Sequence, residues 1–400
     1  MSTFFLFTPE PAGSQFEEVD VELAREGLSN AFARIYGEAG YRPQGVFGKK
    51  WSDTQYRPGF DHVTYIGLIV RSVYKCTHPD CLTILDQKVK KLVEQANNAQ
   101  FEEDLNELRT GAAAAIRFPP LMLEPCASTD PNGRQRASPD FAVIVEGTHV
   151  FIESTTLRVG PLHEWSQAID VLEKRLHEFL MQRGVSRQVT VGAALNYRQH
   201  SLGSSWKSLC DQIASATSGA LQVQGPGGVV ASFEWREMQL GGAIHIDSRA
   251  FQWTTRVPLD SAGKAKSIGV VCLIPPQEAE AIDMLRSNFE NMLRNKRKQA
   301  QEAHPLLLIA AKGFRVYTMD QIVELVRDVY QPGRFAWLAG VGITVSPTSF
   351  QKNDERDGMA MSWNPYCATP IPRALKVAYG PPPGWVPPPG WKPPLGLEPE

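Results

Sequence analysis

The chain lacks a long hydrophobic run, a marked excess of charge of either sign, and a dense set of cysteines. No apolar stretch in its 400 residues approaches the roughly 18 residues of a membrane-spanning helix, so we expect no membrane contact. The formal net charge is −2, so binding of nucleic acid requires a local basic patch. The 6 cysteines are scattered, which indicates reduced thiols and a cytoplasmic protein rather than a disulfide framework.

The motifs of several enzyme classes are also missing. The sequence has no glycine-rich phosphate-binding loop, no Gly-x-Ser-x-Gly nucleophile elbow and no His-Glu-x-x-His zinc motif. These absences argue against nucleotide hydrolases, serine esterases and zinc proteases. With 42% apolar and 21% charged residues, the composition is that of an ordinary globular protein with one large or two ordinary domains.

The most informative stretch extends from Asp140 to Glu153. Two runs rich in β-branched and aromatic residues, 138–145 and 149–155, flank a short turn that contains Gly147, and this pattern predicts a β-hairpin. Folding the hairpin about Gly147 places Asp140 almost opposite Glu153, and facing residues of paired strands lie about 5 Å apart. We therefore expect both carboxylates at the same end of the hairpin.

Two carboxylates at this spacing are typical ligands of a hard divalent cation. Mg²⁺ and Mn²⁺ are commonly held by one or two carboxylates together with waters and substrate phosphates. A cation held by Asp140 and Glu153 would polarise a phosphate and lower the pKa of a bound water, which is the chemistry of phosphodiester hydrolysis. The alternative is a solvated surface hairpin with acids at its ends and no metal.

The segments around the hairpin alternate between helical and strand patterns. Helical periodicity is present at 83–116 and 161–183, and strand patterns are present at 121–123 and 188–195. Together with the hairpin, this predicts the order helix, strand, strand, strand, helix, strand. The apolar run Tyr65–Val73 predicts a further strand closer to the N-terminus.

This order, the Pro139-Asp140 onset and the placement of Glu153 two positions before Thr155 resemble the core of the PD-(D/E)XK superfamily, the restriction-endonuclease-like metal-dependent nucleases. The resemblance covers roughly residues 100–200. It implies an α/β fold whose restriction-endonuclease-like αβββαβ core has a mixed sheet flanked by helices, with elaborations on both its N- and C-terminal sides. It also implies a hydrolase that cleaves DNA with the help of Mg²⁺ or Mn²⁺.

The resemblance further implies which residues form the site. Asp140 and Glu153 match the two metal ligands of the family. An acid on the preceding helix often assists, and Glu107 is the best match, with Glu103 second. A residue on the following helix sometimes lines the site, and Gln167 matches that offset.

One position departs from the family pattern. The family places a lysine two residues after the glutamate, where it orients the attacking water and stabilises developing negative charge, whereas this chain has Thr155 there. Either another cation has taken over this role, with Lys174, Arg158 or a basic residue from the later chain as candidates, or the site is weak or inactive. An inactive site would leave a nuclease-like fold that binds nucleic acid or protein without turnover. A third hypothesis is an unrelated α/β protein in which 138–155 is only a core hairpin.

The remaining chain divides into segments by pattern and composition. The predicted segments are an N-terminal α+β elaboration at 1–99, the nuclease-like core at 100–200, a C-terminal α/β elaboration packing on the core at 201–379, and an extended tail at 380–400. A long helix predicted over 277–304 carries the basic residues Lys296, Arg297 and Lys298. These are candidates for contact with a phosphate backbone, and a solvated helix end is the alternative.

The tail has an unusual composition. Pro381–Trp385 repeats as Pro387–Trp391, and proline cannot pair its backbone in a helix or a central strand. We therefore expect an extended, polyproline-type segment. It is either a disordered end or a peptide that docks into an aromatic-lined groove of a protein partner.

Overall fold

The structure is a computed structural model. It describes residues 18–42, 44–53, 62–125, 137–198, 201–225, 228–239, 252–259, 263, 265–276, 279–300, 304–314, 317, 319–345 and 359–379. The predictions made for the Pro/Trp tail at 380–400 lie outside the described residues.

The described residues form α-helices and β-strands, and five α-helices precede the first strand. The helices are α1 (Glu18–Tyr36), α2 (Gly45–Asp53), α3 (His62–Cys76), α4 (Leu82–Glu94), α5 (Asn98–Arg117), α6 (Gly160–Arg183), α7 (Ser205–Ser215), α8 (Ala279–Lys296), α9 (Met319–Val329) and α10 (Arg373–Ala378). The strands are β1 (Met122–Leu123), β2 (Phe141–Val145), β3 (Thr148–Leu157), β4 (Arg187–Ala193), β5 (Ser218–Gly225), β6 (Gly228–Glu237), β7 (Gln252–Arg256), β8 (Gly269–Ile274), β9 (Leu306–Lys312), β10 (Leu338–Val345) and β11 (Ala360–Trp363). Among the described helices, none combines the length and apolar character that crossing a bilayer requires.

The chain divides into two compact units. The first comprises Met1–Leu157, Phe289–Lys312 and Met319–Glu400, as far as these ranges are described, and the second comprises Arg158–Asn288 and Gly313–Thr318. The first unit contains a six-stranded sheet in the order β1-β2-β3-β9-β10-β11, and the second contains a five-stranded sheet in the order β5-β6-β4-β8-β7. The second unit is thus inserted into the sequence of the first.

The sheet of the first unit is mixed. Strands β1, β2 and β3 pair antiparallel, β3, β9 and β10 pair parallel, and β10 and β11 pair antiparallel. One continuous hydrophobic cluster joins residues of α1, α3, α4 and α5 to β2, β3 and β9. The predicted α/β class, with mixed sheets flanked by helices, is therefore confirmed.

The hairpin forms as the sequence indicates. Strands β2 and β3 pair with Phe141 opposite Ile152, and the turn between them consists of Glu146 and Gly147, at φ of 51° and 77°. Positive φ at both central residues matches the twist of the flanking strands, which is why such two-residue turns favour glycine.

The segment Tyr65–Val73 lies within α3, so the strand predicted there is wrong. The residues from Tyr65 to Val70 are all buried, so this part of the run has no exposed face whose spacing could distinguish a helix from a strand. Gly67 lets α3 approach α1 closely, because a Cβ at this position would lie 2.7 Å from the backbone oxygen of Ala24. Tertiary packing between two helices decides the conformation here.

The predicted core at 100–200 needs a correction in its second half. Helix α6 and strand β4 belong to the second unit, where β4 pairs with β6 and β8. The parallel neighbour of β3 is instead β9, with Glu153 opposite Leu308. Within the first unit, the elements that follow β3 are therefore the C-terminal part of α8, from Phe289, and β9. A local pattern identifies only the next helix and strand along the chain, whereas the strand that pairs with β3 lies much later in the sequence.

Candidate functional site

Asp140 and Glu153 lie side by side at the end of the hairpin opposite the turn. Asp140 immediately precedes β2 and Glu153 is one residue beyond the pair Phe141–Ile152. The backbone N–H of Asp140 donates to Glu153 Oε2 at 3.2 Å, and the N–H of Ser154 donates to Asp140 Oδ2 at 2.8 Å. The two acids thus hold each other in place through the backbone, as the predicted register requires.

Burial and repulsion by nearby carboxylates disfavour the charged forms of both acids. Glu153 is only 2% exposed. Burial raises the pKa of the Asp140 carboxyl well above its usual value, and the charges of Glu107 and Glu153 raise it further. The pKa of Glu153 is also raised, chiefly by burial, although a neighbouring ammonium opposes this shift. Paired carboxylates with raised pKa values are typical of functional sites and also occur in structural ion networks.

The neighbouring ammonium belongs to Lys296, the last residue of α8. Its Nζ donates to Glu153 Oε1, and Gln299 Nε2 donates to the same oxygen at 3.1 Å. The lysine side chain is 23% exposed, so the ion pair is largely shielded from water. The sequence predicts Lys296 as a candidate for contact with a phosphate backbone; the structure pairs it with Glu153, and contact with nucleic acid stays a prediction.

The sequence contained a signal for this contact. Lys296 follows the buried residues Phe289 and Leu293 at steps of four and three, so it lies on the face of α8 that packs inward. Arg297 and Lys298 are exposed in the short 3₁₀ helix that follows. Their contact with nucleic acid stays a prediction.

Glu107 acts on the pair through its charge. It accepts a hydrogen bond from Lys88 Nζ at 2.6 Å, and the same Nζ lies 2.8 Å from Glu124 Oε1. Of the two helix acids considered, it is Glu107 whose charge contributes to the raised pKa of Asp140. Glu103 lies one turn earlier on α5 and is half-buried.

The other predicted site residues have different surroundings. Thr155 lies on β3, and its backbone oxygen accepts a hydrogen bond from Asn106 Nδ2 at 3.2 Å. The recorded contacts of Gln167 and Lys174 are within the second unit: Gln167 Nε2 is 3.0 Å from His163 Nε2, and Lys174 Nζ is 3.9 Å from Glu178 Oε1. Arg158 is exposed at the start of the second unit.

Carboxylate oxygens are typical metal ligands, but the acid pair offers a small ligand set. Asp140 Oδ1 has no recorded hydrogen-bond partner among the described residues, so one carboxylate oxygen is available to a ligand. No cluster of three or more histidine, cysteine, aspartate or glutamate side chains suited to a metal occurs in the part of the chain that is described. A cation held here would rely on Asp140, Glu153, water and substrate, which is a common arrangement for Mg²⁺.

No protein-family model, no characterised protein and no solved structure with which the chain was compared matches it.

Proposed function

We propose that the chain is a divalent-metal-dependent nuclease that hydrolyses phosphodiester bonds of DNA, with Asp140, Glu153 and Lys296 at its site. The observation that carries the proposal is the contact between Lys296 Nζ and the buried carboxylate of Glu153, directly beside Asp140. The ammonium of Lys296 supplies the positive charge that the family's lysine provides and that Thr155 lacks.

The arrangement of elements supports the same proposal. In the first unit, α5, β1, β2, β3, the C-terminal part of α8 and β9 follow one another in the order helix, strand, strand, strand, helix, strand. Strand β9 lies parallel to β3 and next to it. This is the order that the resemblance to restriction-endonuclease-like nucleases implies, with the second unit as an insertion before its second helix.

Each residue has a role in this proposal. Asp140 and Glu153 would hold Mg²⁺ or Mn²⁺, which supplies polarisation of the phosphate and a lower pKa of bound water. Lys296 provides a fixed positive charge for the negative charge that develops on the phosphate oxygens. Gln299 orients the Glu153 carboxylate through its 3.1 Å hydrogen bond. Lys88 fixes Glu107 and limits its repulsion of Asp140.

The test is cleavage of DNA by the purified chain in Mg²⁺ or Mn²⁺, with EDTA as the negative control. Asp140→Asn, which removes one charge without changing the shape, is expected to abolish cleavage. Lys296→Met is expected to reduce the rate by about 10²–10³-fold, the range measured when one electrostatic group of a site is removed. Lys90→Met is the matched control, because this lysine of α4 is exposed and is not among the residues proposed for the site or for contact with DNA. Cleavage by Lys296→Met at the wild-type rate would contradict the proposal.

One observation favours a second function, a nuclease-like fold that binds without turnover. The ion pair with Lys296 and the hydrogen bond from Gln299 satisfy Glu153 Oε1 without a metal. This interpretation predicts no heat of Mn²⁺ binding in calorimetry and no cleavage, together with measurable binding of DNA or of a protein partner. Saturable Mn²⁺ binding that is lost in Asp140→Asn would exclude it.

A further inference from the structure

A second polar cluster lies on the other face of β3, where α5 packs. Glu153 and Ser154 are consecutive residues of a strand, so their side chains point to opposite faces. Ser154 Oγ accepts a hydrogen bond from Asn106 Nδ2 at 3.1 Å and lies 3.4 Å from Thr110 Oγ1. Arg109 Nη2 donates to Asn106 Oδ1 at 2.8 Å, and all of these side chains are buried.

Arg109 is the unusual member of this cluster. The residue is 5% exposed, and its recorded partners, Asn106 and Thr344, are both neutral. Among the described residues no carboxylate pairs with it. An arginine side chain keeps its charge in proteins, and a buried charge without a counter-ion is strongly unfavourable.

The guanidinium also has unused donors. Both recorded hydrogen bonds come from Nη2, with the second directed to Thr344 Oγ1 at 2.7 Å. Nε and Nη1 have no hydrogen-bond partner in the described part of the chain. Both donors therefore remain for a ligand.

The position of the cluster in the sheet suits a ligand. Ser154 pairs with Ile309 of β9, and Thr344 pairs with Ala311, one residue before the end of that strand. The cluster thus lies near the carboxyl ends of three parallel strands. In open α/β sheets, ligands bind beyond these ends.

We propose that Arg109 and the hydroxyl groups around it bind one phosphate group, either as inorganic phosphate or as the terminal phosphate of a nucleotide or a nucleic-acid strand. The planar guanidinium matches two oxygens of a phosphate, and the hydroxyls of Thr110, Ser154 and Thr344 are donors for the others. A carboxylate has only two oxygens and would leave part of this donor set unused. The site contains none of the three residues proposed for cleavage, so it stands without that proposal.

Calorimetric titration of the full chain with inorganic phosphate, at constant ionic strength, tests the proposal. The wild type is expected to bind phosphate saturably, and Arg109→Met about 10- to 100-fold more weakly, because it loses the charge-assisted hydrogen bonds. Arg25→Met is the matched control, since this arginine of α1 is exposed, and it is expected to bind like the wild type.

A second variant keeps the test decisive if Arg109→Met fails to fold. Thr344→Val has nearly the same shape, keeps the guanidinium and removes one hydrogen bond that orients it. It is expected to weaken phosphate binding by about 3- to 10-fold, since one hydrogen bond of this kind is lost. Equal affinity in the wild type and this variant would overturn the proposal.

The source of the phosphate is identified by further probes in EDTA, which prevents metal-dependent cleavage. A 5′-phosphorylated oligonucleotide that binds tighter than its 5′-hydroxyl counterpart assigns the site to a strand end. Preference for a nucleoside 5′-monophosphate assigns it to a nucleotide, and binding of inorganic phosphate alone assigns it to the free ion. Failure of every phosphate probe to bind saturably to the wild type would refute a phosphate site.

Discussion

Replacing Lys296 by methionine tests whether the Glu153 ion pair is coupled to the stability of the first unit. Methionine keeps most of the side-chain length and removes the ammonium that contacts Glu153 Oε1. Removing one partner of a buried ion pair costs about 3–5 kcal/mol, because the other charge stays buried without compensation. Lys296 is 23% exposed and Gln299 still donates, so we expect a loss of about 2–3 kcal/mol at pH 8 in the absence of metal.

The loss is expected to depend on pH in a definite direction. The pKa of Glu153 is already raised in the folded protein, and removal of the ammonium that opposes this shift raises it further. A carboxyl group with a raised pKa keeps its proton in the folded state after losing it in the unfolded state. Stability therefore falls as the pH rises from the unfolded to the folded pKa, by about 1.4 kcal/mol per pH unit. In Lys296→Met the pH range over which stability falls extends to higher pH. The variant therefore loses less stability, relative to the wild type, at pH 5 than at pH 8.

Urea unfolding at both pH values, with EDTA present, measures the free energy of unfolding. Because the chain has two units, hydrogen exchange of the β2 and β3 amides is followed in parallel to report on the first unit alone. Lys298→Met, which removes an exposed charge nearby, is the control and is expected to change stability by less than about 0.5 kcal/mol. The reasoning would be refuted if Lys296→Met lost less than about 0.5 kcal/mol of unfolding free energy at pH 8, or lost the same amount at both pH values.

Three further outcomes are expected. Mn²⁺ binding, measured by calorimetry, is expected to strengthen from pH 6 to pH 8, because the pKa of Asp140 is raised and the ionised form binds metal. The binding is expected to disappear in Asp140→Ala. Binding that is independent of pH would contradict this prediction. If Lys296 supplies the catalytic cation, as proposed, Thr155→Lys is expected to change the rate of DNA cleavage less than about threefold. A large gain in rate would contradict this role of Lys296. Lys88→Met is expected to raise the pKa of Asp140 further and to weaken Mn²⁺ binding more at pH 6 than at pH 8. Lys91→Met, one turn along α4, is the control. Equal Mn²⁺ affinities of the two variants would show that Lys88 does not influence Asp140.

The hairpin and its acid pair were predictable because the information is local. The spacing of the apolar residues, the Gly147 turn and the period of two in a strand fix the register, and the register places Asp140 beside Glu153. The fold class followed from the alternation of helical and strand patterns for the same reason.

The partners of the pair could not be predicted in this way. Lys296 is 143 residues from Glu153 in the sequence, and no local pattern states which distant helix end meets a given strand. The helix and strand predicted after β3 fail for a related reason: α6 and β4 have the expected pattern, but both belong to the inserted unit. The helical spacing of Lys296 after the buried residues Phe289 and Leu293 indicates that it lies on the inward face of α8. The basic residues around it indicate a solvated helix end instead.

The insertion has a consequence for synthesis of the chain. Glu153 leaves the ribosome 143 residues before Lys296, which is about 7–30 s earlier at usual rates of translation. If β1, β2 and β3 pair during this time, β3 is the outer strand of their sheet until β9 is made, with its backbone groups open to other chains. The carboxylate of Glu153 has no ammonium partner until α8 is made, and a charge on such an edge opposes pairing between nascent chains. We therefore expect Glu153 to limit aggregation of the nascent chain before Lys296 pairs with it.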